Sequence, residues 1–287
     1  SSIVSVMSER TGNSPAGVRS SAIRSVADVL VPLLVLALLL AAWQGAVWWW
    51  RISPVLLPGP GAVLTAGWKI RVSLLEAAWR TALAALTGLS LSIVLGTLTA
   101  FAFSQSAVVR RAFYPYAVLL QTVPIIAIAP IVIVSLGRGF SSVAVVSAIL
   151  GLFPIITSTT TGLLQVDGML LDLFRLYRAS RWQTLLKLRV PAALPYLISG
   201  IRIASGSSIV GAIVGEFFVG DGTPGLGSMI QRKSASLVLS ELYATVGGAT
   251  LLGTVVFGFI TVLGESVLRR RFGMSLGGRL SGPQSGD

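Results

Sequence analysis

Long apolar segments separated by short polar connections dominate the pattern of the chain. A bilayer core of about 30 Å is crossed by roughly 20 apolar residues in an α-helix, since each residue adds about 1.5 Å. Six segments reach this length, so the pattern predicts an all-α, polytopic membrane protein with six transmembrane helices. The predicted spans are residues 27–50, 81–103, 113–136, 143–164, 196–219 and 242–268.

The spans divide the chain into a membrane domain, residues 27–272, and two polar tails, residues 1–26 and 273–287. Placing both tails in the cytoplasm puts fifteen of the 22 Lys and Arg residues on the cytoplasmic side and seven outside. Cytoplasmic loops of membrane proteins carry such an excess of basic residues. The sequence therefore predicts a multi-pass protein with cytoplasmic N- and C-termini.

Composition limits the chemistry that this chain can perform. Apolar residues make up 54% and charged residues 11% of the 287 residues, which is too little charge to cover a water-facing surface. Cys and His are absent and the ten carboxylates are scattered, which argues against thiol chemistry, His acid–base catalysis and the usual zinc sites. No catalytic or metal-binding residue is predicted. The net charge of +12 lies beside the apolar spans, which favours a lipid bilayer and no nucleic acid as partner.

Two external connections have patterns of their own. Residues 53–60 contain three prolines and cannot form a regular helix. Residues 62–80 mix Trp and Leu with charged side chains, which predicts an amphipathic helix at the membrane interface. Residues 221–227, after the fifth span, are too rich in Gly and Pro for a continuous helix.

The longest predicted cytoplasmic loop covers residues 165–195. Its pattern predicts one helix from Asp172 to Lys187, which Pro191 and Pro195 are expected to end before the fifth span. A loop needed only for connection would be shorter and less structured. The residues alone leave two interpretations open: a basic interfacial helix that serves topology only, and an element that docks a partner.

The spacing in this loop resembles the signature loop of permease subunits of ATP-binding cassette importers. That signature is Glu-Ala-Ala, three residues, Gly, nine residues and Ile-x-Leu-Pro. Asp172 takes the acidic position, Arg178 takes the glycine position, and Leu188 to Pro191 close the pattern. The alanine pair of the signature is replaced by Leu173 and Phe174. These replacements and the arginine at the glycine position would change the geometry of the junction between helices rather than the docking role of the loop.

Other segments are similar to the nitrate, sulfonate and taurine group of these importers, which includes a pyrimidine-precursor and riboflavin branch. The resemblance covers about residues 27–272, and its Gln-Thr-Val-Pro and Val-Gly-Glu-Phe segments slightly favour the heterocyclic branch. The similar segments are residues 194–204, Ser53-Pro54 with Pro58, Gln121 to Pro124 with Ala129-Pro130, Phe153-Pro154, Gly215-Glu216 and Gly225 to Gly227.

The resemblance implies a type I importer permease fold in the inner (plasma) membrane of a prokaryote. Two ATPase subunits would bind ATP and Mg, so this chain would be no enzyme and bind no cofactor. A second copy of the permease would complete the path, and an external binding protein would deliver a small solute. The signature loop would be a coupling helix. The implied ATPase-coupling residues are Asp172, Arg175, Tyr177, Arg178, Ala179, Ser180, Arg181, Leu188 and Pro191.

Four residues are candidates for the translocation pathway: Gln121, Thr122, Pro124 and Glu216. A charge at mid-bilayer costs about 2.5–3.5 kcal/mol, so the Glu216 carboxylate should face protein or water. A carboxylate near the outer interface is the alternative for Glu216. Polar side chains buried in helix packing are the alternative for Gln121 and Thr122.

Small residues recur every four positions in two spans, at Gly88 to Ala100 and at Gly200 to Ala212. This period lets helices approach closely inside a bilayer, so it predicts tight helix packing there. An ion-coupled secondary transporter is the alternative function for the whole chain. It would require intramembrane charge pairs or interrupted helices in symmetry-related positions, and Glu216 alone gives little support for that.

Overall fold

The computed structural model describes residues 16–51, 53, 56–219 and 224–272, in which the regular structure is helical. The chain divides into two compact units, Ser1–Ala62 and Val63–Asp287. The helices are α1 (Ala16–Trp49), α2 (Pro60–Lys69), α3 (Arg71–Gln105), α4 (Ala107–Thr122), α5 (Ile125–Leu136), α6 (Phe140–Leu164), α7 (Gly168–Leu176), α8 (Arg181–Thr184), α9 (Val190–Val219), α10 (Leu226–Ala235) and α11 (Leu239–Phe272).

The first unit contains α1, whose stretch Leu30–Trp49 is long and apolar enough to cross a membrane. This stretch corresponds to the predicted first span, residues 27–50. It ends in Trp48 and Trp49, which fits the aromatic belt found at membrane–water interfaces.

The core of the second unit is formed by α3, α6 and α9, which pack side by side. A Cβ added to Gly88 would lie 2.4 Å from Ser147 Oγ, and one added to Gly211 would lie 2.7 Å from Ser147 Cα. Backbones this close leave no room for larger side chains, so the predicted close packing is confirmed. The buried small residues are Gly88, Ser92, Gly96 and Ala100 in α3, and Gly200, Ala204, Ser208 and Ala212 in α9.

Serine hydroxyls join the three core helices. Ser92 Oγ in α3 donates to the carbonyl oxygen of Ala148 in α6 at 2.7 Å. Ser147 Oγ in α6 donates to the carbonyl oxygen of Ser208 in α9 at 2.8 Å. Hydrogen bonds between helices stabilise membrane domains, where apolar burial gives little driving force for helix association.

Five helical stretches of the described residues are long and apolar enough to cross a membrane, and α4 with α5 makes a sixth if the pair counts as one span. The six predicted spans correspond to these elements. The third span, residues 113–136, is not a straight helix as predicted, because α4 and α5 meet at a bend of 100°. Pro124 lies at the bend and has no backbone N–H with which to continue α4.

The predicted amphipathic helix over residues 62–80 is wrong as one element. Lys69 ends α2, and Arg71 already begins the 35-residue α3, which continues through the predicted second span. The mixed segment is therefore divided between a short helix and the first turns of a long one.

The fifth span begins earlier than predicted, because neither Pro191 nor Pro195 ends the helix. From α8 the chain continues through a π-helical turn, Leu185–Arg189, into α9. In a regular α-helix the ring of Pro191 would crowd the carbonyl group of Lys187. The π-helical turn, in which the Val190 N–H donates to the Leu185 carbonyl oxygen, widens the helix just before the proline.

Candidate functional site

Three regions carry the predicted functional residues: two lie at opposite ends of α9, and the third is the bend between α4 and α5. The first, which we call the coupling segment, is the connection of residues 165–195 between α6 and α9. Asp167 caps the N-terminus of α7, because its carboxylate accepts the Met169 N–H at 2.9 Å. The predicted single helix from Asp172 to Lys187 is wrong, since the chain turns after Leu176 and restarts as α8 at Arg181.

Arg178 explains the break in the coupling segment. Its φ of +50° lies in the left-handed region, which costs a residue with a Cβ about 1–2 kcal/mol and which glycine adopts freely. The Ala179 N–H then donates to the carbonyl oxygen of Phe174 at 3.0 Å, closing the turn. Arg178 holds the glycine position of the resembled signature, so in this chain an arginine adopts a backbone conformation that favours glycine.

Ser180 begins α8 by a reciprocal pair of hydrogen bonds. Its Oγ accepts the Gln183 N–H at 3.2 Å, and Gln183 Oε1 accepts the Ser180 N–H at 2.8 Å. This capping box satisfies two backbone donors that the first turn of a helix otherwise leaves unpaired. The turn is therefore fixed on both sides, by the left-handed Arg178 and by the cap.

The turn presents an apolar tip to solvent. Leu176 is 81% exposed and Tyr177 is 80% exposed. Both lie outside the apolar stretches that could cross a membrane, so a place in a lipid-facing span does not account for their exposure. We call these two residues the coupling tip. The sequence analysis named Tyr177 as a coupling residue but not Leu176. Leu176 stands among other apolar residues, so nothing in the sequence indicated that its side chain would be exposed.

The other predicted coupling residues are spread around this turn. The Asp172 carboxylate pairs with Arg175 Nη1 at 2.9 Å, and both side chains are exposed. Ala179 is half-buried and lines a cavity, and Leu188 lies in the π-helical turn. Pro191 is an exposed residue near the start of α9.

The second region, which we call the clasp, is built around the Glu216 carboxylate near the end of α9. Glu216 is only 2% exposed. Its Oε2 accepts the Thr81 hydroxyl of α3 at 2.9 Å and the Gly227 N–H of α10 at 2.9 Å. The Leu226 N–H donates to Thr81 Oγ1 at 2.9 Å, so one hydroxyl joins both neighbours.

Two glycines let the chain reach this carboxylate. A Cβ on Gly225 would lie 2.0 Å from Glu216 Oε1, and a Cβ on Gly227 would lie 2.0 Å from the carbonyl oxygen of Ile213. The first turn of α10 is therefore pressed onto α9, with its N–H groups and the positive end of its dipole towards the Glu216 carboxyl group.

The structure thus places Glu216 facing protein rather than an open surface. The clasp ties α3, α9 and α10 together and solvates the charge with neutral donors, as a carboxylate in a span requires. Its role in the translocation pathway stays a prediction. Sequence reasoning singled out Gly225 and Gly227 only as similar positions and missed Thr81, which nothing in the sequence distinguishes from other span threonines.

Gln121, Thr122 and Pro124 lie together at the bend between α4 and α5, away from the clasp. All three are exposed in the described chain, and the Thr122 hydroxyl donates to the Leu119 carbonyl oxygen at 3.1 Å. A broken helix leaves backbone groups without helical partners, and membrane proteins tolerate this where the backbone is covered by protein or lines a water-filled cavity. Among the described residues only this pair of apolar helices is bent in such a way, so no symmetry-related second break is present there.

Comparison with known proteins agrees with these features. The profile of the family described as "Binding-protein-dependent transport system inner membrane component" matches residues 92–272. A probable ABC transporter permease protein of Haemophilus influenzae is 32% identical, over 76% of this chain and 88% of the relative. The formylaminopyrimidine transport permease protein ThiX of Halalkalibacterium halodurans is also 32% identical, over 84% of this chain and 95% of the relative.

The fold is similar to that of a solved chain from the MetNI methionine ABC transporter in an inward-facing conformation. The TM-score is 0.60, and the match covers 70% of this chain and 97% of the other. Because the sequences are only 17% identical, this likeness concerns the fold alone. It confirms the predicted all-α, type I importer fold.

Proposed function

Because the chain belongs to the family of binding-protein-dependent transport system inner membrane components, we propose that two copies of it surround one translocation path and dock two ATPase subunits. The chain is the membrane-spanning permease subunit of an ATP-driven importer of small solutes. In the proposed assembly the ATPase subunits bind ATP and Mg, the permease hydrolyses nothing, and an external binding protein delivers the solute. Uptake by an ion-coupled secondary transporter is not favoured, and uptake that needs no ATP would contradict this proposal.

The coupling tip is the observation that carries the proposal. Leu176 and Tyr177 expose apolar surface at a turn that Arg178 and the Ser180 cap hold in place. An exposed apolar surface on a well-fixed element is typical of a docking site. The coupling tip is therefore the surface that would bind in a groove of the ATPase.

A tip that transmits movement also needs a firm connection to the membrane domain. Leu185 is 1% exposed and packs with Ala100, Leu163 and Ala193, which belong to α3, α6 and α9. Arg189 Nη1 donates to the Ser104 carbonyl oxygen at the end of α3 at 2.9 Å. A displacement of the tip would therefore be transmitted to the packed helices, which would move as rigid bodies, because the described chain contains no flexible loop between them and the tip.

Substituting the tip tests the docking role. Tyr177→Asp or Leu176→Asp should leave the amount of permease in the membrane unchanged, because neither side chain is buried. Co-purification of the ATPase and ATP-driven uptake should both fall by about tenfold or more, since an unpaired carboxylate would have to be desolvated in the contact. The matched control is Leu237→Asp, at a leucine between α10 and α11 that is 72% exposed. Normal ATPase association in the tip variants would refute the assignment.

The absence of cysteine from the chain makes its orientation directly testable. We propose that both termini and the coupling segment lie in the cytoplasm and that Leu237 lies outside. A Leu237→Cys variant in intact cells should react with a membrane-impermeant maleimide. A Met169→Cys variant, at an exposed position in α7, should react only after the cells are opened. The opposite pattern would invert the topology.

We also propose that the bend of α4 and α5 lines the path, with Gln121 and Thr122 facing the solute. A Thr122→Cys variant of the assembled transporter should be labelled by a small water-soluble maleimide in one ATP-dependent state and protected in the other. Labelling that ATP leaves unchanged would remove the bend from the path.

For the cargo, we infer a small nitrogen heterocycle of the pyrimidine type. The support is the similarity to the formylaminopyrimidine permease, which extends over 84% of this chain. Binding assays on the partner binding protein, with pyrimidines set against nitrate and alkanesulfonates, test this inference. Preference for an oxyanion would overturn it while leaving the importer function intact.

A further inference from the structure

A basic cavity of about 400 Å³ lies between the coupling segment and the end of α3. We call it the arginine cavity, because three arginines are among its walls. It is separate from the coupling tip, whose Leu176 and Tyr177 do not line it. The lining residues are Ser104, Gln105, Leu171, Arg175, Ala179, Arg181, Thr184 and Arg189.

The cavity carries more positive charge than the protein neutralises. Arg175 pairs with Asp172 at 2.9 Å, and Arg189 donates to the neutral carbonyl group of Ser104 at 2.9 Å. The Arg181 side chain forms no ion pair or hydrogen bond within the described part of the chain. Arg181 and Arg189 are thus left without an anionic partner among the described residues, and a phosphate group fits the planar donors of arginine side chains.

The position of the cavity indicates where that phosphate comes from. The apolar span of α3 ends at Gln105, and the apolar span that includes α9 begins at Arg181, so the cavity opens where two membrane-crossing helices end. Lipid headgroups lie at this depth, and basic pockets between membrane helices on the cytoplasmic side bind them.

The surface beside the cavity is apolar. Trp182 and Leu186, one helical turn apart, are both exposed next to Arg181. An exposed Trp is typical of the membrane interface, where its ring lies at the level of the headgroups. A lipid with its phosphate between the arginines would place its first methylene groups against these two side chains.

We propose that the arginine cavity binds the phosphate headgroup of an anionic phospholipid and so fastens the coupling segment to the membrane surface. The proposal rests on the proposed function only in placing the cavity on the cytoplasmic side. The bound lipid would join Arg189, at the base of α9, to Arg175 in α7, and would stiffen the connection behind the coupling tip.

The test uses the purified full-length chain in a neutral detergent. Dioctanoyl phosphatidylglycerol is the probe, and dioctanoyl phosphatidylcholine and inorganic phosphate are the comparison ligands. Phosphatidylglycerol should raise the thermal unfolding midpoint with saturation, because a ligand that binds only the folded state stabilises it. Phosphatidylcholine and inorganic phosphate at the same concentrations should do so much less.

The matched variants are Arg181→Gln and Arg111→Gln. Both remove one exposed arginine, but Arg111 lies in α4 and does not line the cavity. Arg181→Gln should weaken the apparent affinity for phosphatidylglycerol about tenfold, as expected for the loss of a charge-assisted hydrogen bond, and Arg111→Gln should leave it unchanged. The unliganded midpoint of Arg181→Gln serves to show that the variant still folds.

Three results would overturn the proposal: equal weakening by both variants, no weakening by Arg181→Gln, or inorganic phosphate binding as tightly as the anionic lipid. None of them would affect the importer function, since the assay contains neither ATPase nor solute. Loss of ATPase docking in the coupling-tip variants would equally leave this lipid measurement interpretable.

Discussion

The two ends of α9 are built from different kinds of residue. At the clasp, Glu216 is buried, its oxygen is held at 2.9 Å by two donors, and glycines bring the backbone into contact. At the coupling segment, large apolar and charged side chains are exposed and the turn is fixed only by its own backbone and cap.

This difference teaches where rigidity comes from in the permease. The clasp is rigid because the Glu216 carboxyl group joins three helices by hydrogen bonds. The helices are so close there that an added Cβ atom would overlap a neighbouring atom. The turn of the coupling segment, residues 176–180, is ordered by local hydrogen bonds, so its outer surface stays free for a partner. Substitutions at the clasp should therefore change the stability of the fold, and substitutions at the coupling segment should change local order and ATPase association.

The largest effect is expected from Gly227→Ala. The new Cβ would lie 2.0 Å from a backbone carbonyl oxygen, which cannot rotate away as a side chain would. Overpacking costs roughly 1–3 kcal/mol, and this contact should reach the upper end of that range and lower both the thermal midpoint and the amount of protein in the membrane. The control is Gly206→Ala in α9, where nothing lies within 4 Å of the added atom. Equal thermal midpoints for the two variants would show that the helices at the clasp are not closely packed.

Substitution of Glu216 should have the next largest effect and separates anchoring from a pathway role. Glu216→Leu leaves the buried Gly227 N–H without its acceptor, at a cost of about 1–3 kcal/mol, so the thermal midpoint should fall. Glu216→Gln keeps an acceptor oxygen and should retain most of that stability. Uptake measured on the stable Gln variant then decides the pathway prediction: normal uptake assigns Glu216 to anchoring alone, and lost uptake shows that the charge itself is needed.

Ser180→Ala should have a smaller and local effect. Loss of the cap costs about 1 kcal/mol in the first turn of α8, and amide exchange over residues 177–189 should speed up while the global thermal midpoint stays the same. Ser180→Thr keeps a hydroxyl that can accept the same bond and should restore slow exchange. A fall of the global midpoint would show that the coupling segment is as tightly built into the fold as the clasp.

The smallest effect, and the one expected to be favourable, comes from Arg178→Gly. Glycine removes the strain of the left-handed backbone at +50°, which is about 1 kcal/mol, so amide exchange at the turn should slow. Arg178→Ala removes the same charge but keeps the strain, and should show no such slowing. Equal behaviour of the Gly and Ala variants would mean that the side chain, and not the backbone, governs this turn.

How much of the fold follows from the sequence is clear from the spans. Apolar length predicts the six membrane-crossing elements, because each span needs apolar side chains towards the lipid and must satisfy its own backbone hydrogen bonds, whatever it packs against. The small-residue period in α3 and α9 predicts close helix packing for the same reason, since it depends on one helix face at a time. The bend at Val123 and Pro124 is less accessible, because a proline in a span bends a helix by an amount that only its neighbours decide.

The candidate sites divide in the same way. The spacing from Asp172 to Pro191 locates the coupling segment and the family, since spacing is a property of the chain. The exposure of Leu176 and the left-handed Arg178 were not predicted, because both depend on how the turn is closed. The helix that continues past Pro191 was not predicted either, because it depends on the π-helical turn just before the proline.

What the sequence alone determined about this protein is its class, its six spans and the segment that resembles a coupling loop, because hydropathy and spacing are local properties. What only the tertiary structure decided is which hydrogen-bond partner each buried polar group has. Thr81 and Glu216 are 135 positions apart in the chain and meet at 2.9 Å. Arg189 likewise reaches Ser104, 85 positions away. Such pairs depend on how the helices pack, and no pattern along one helix records which distant donor will satisfy a buried acceptor.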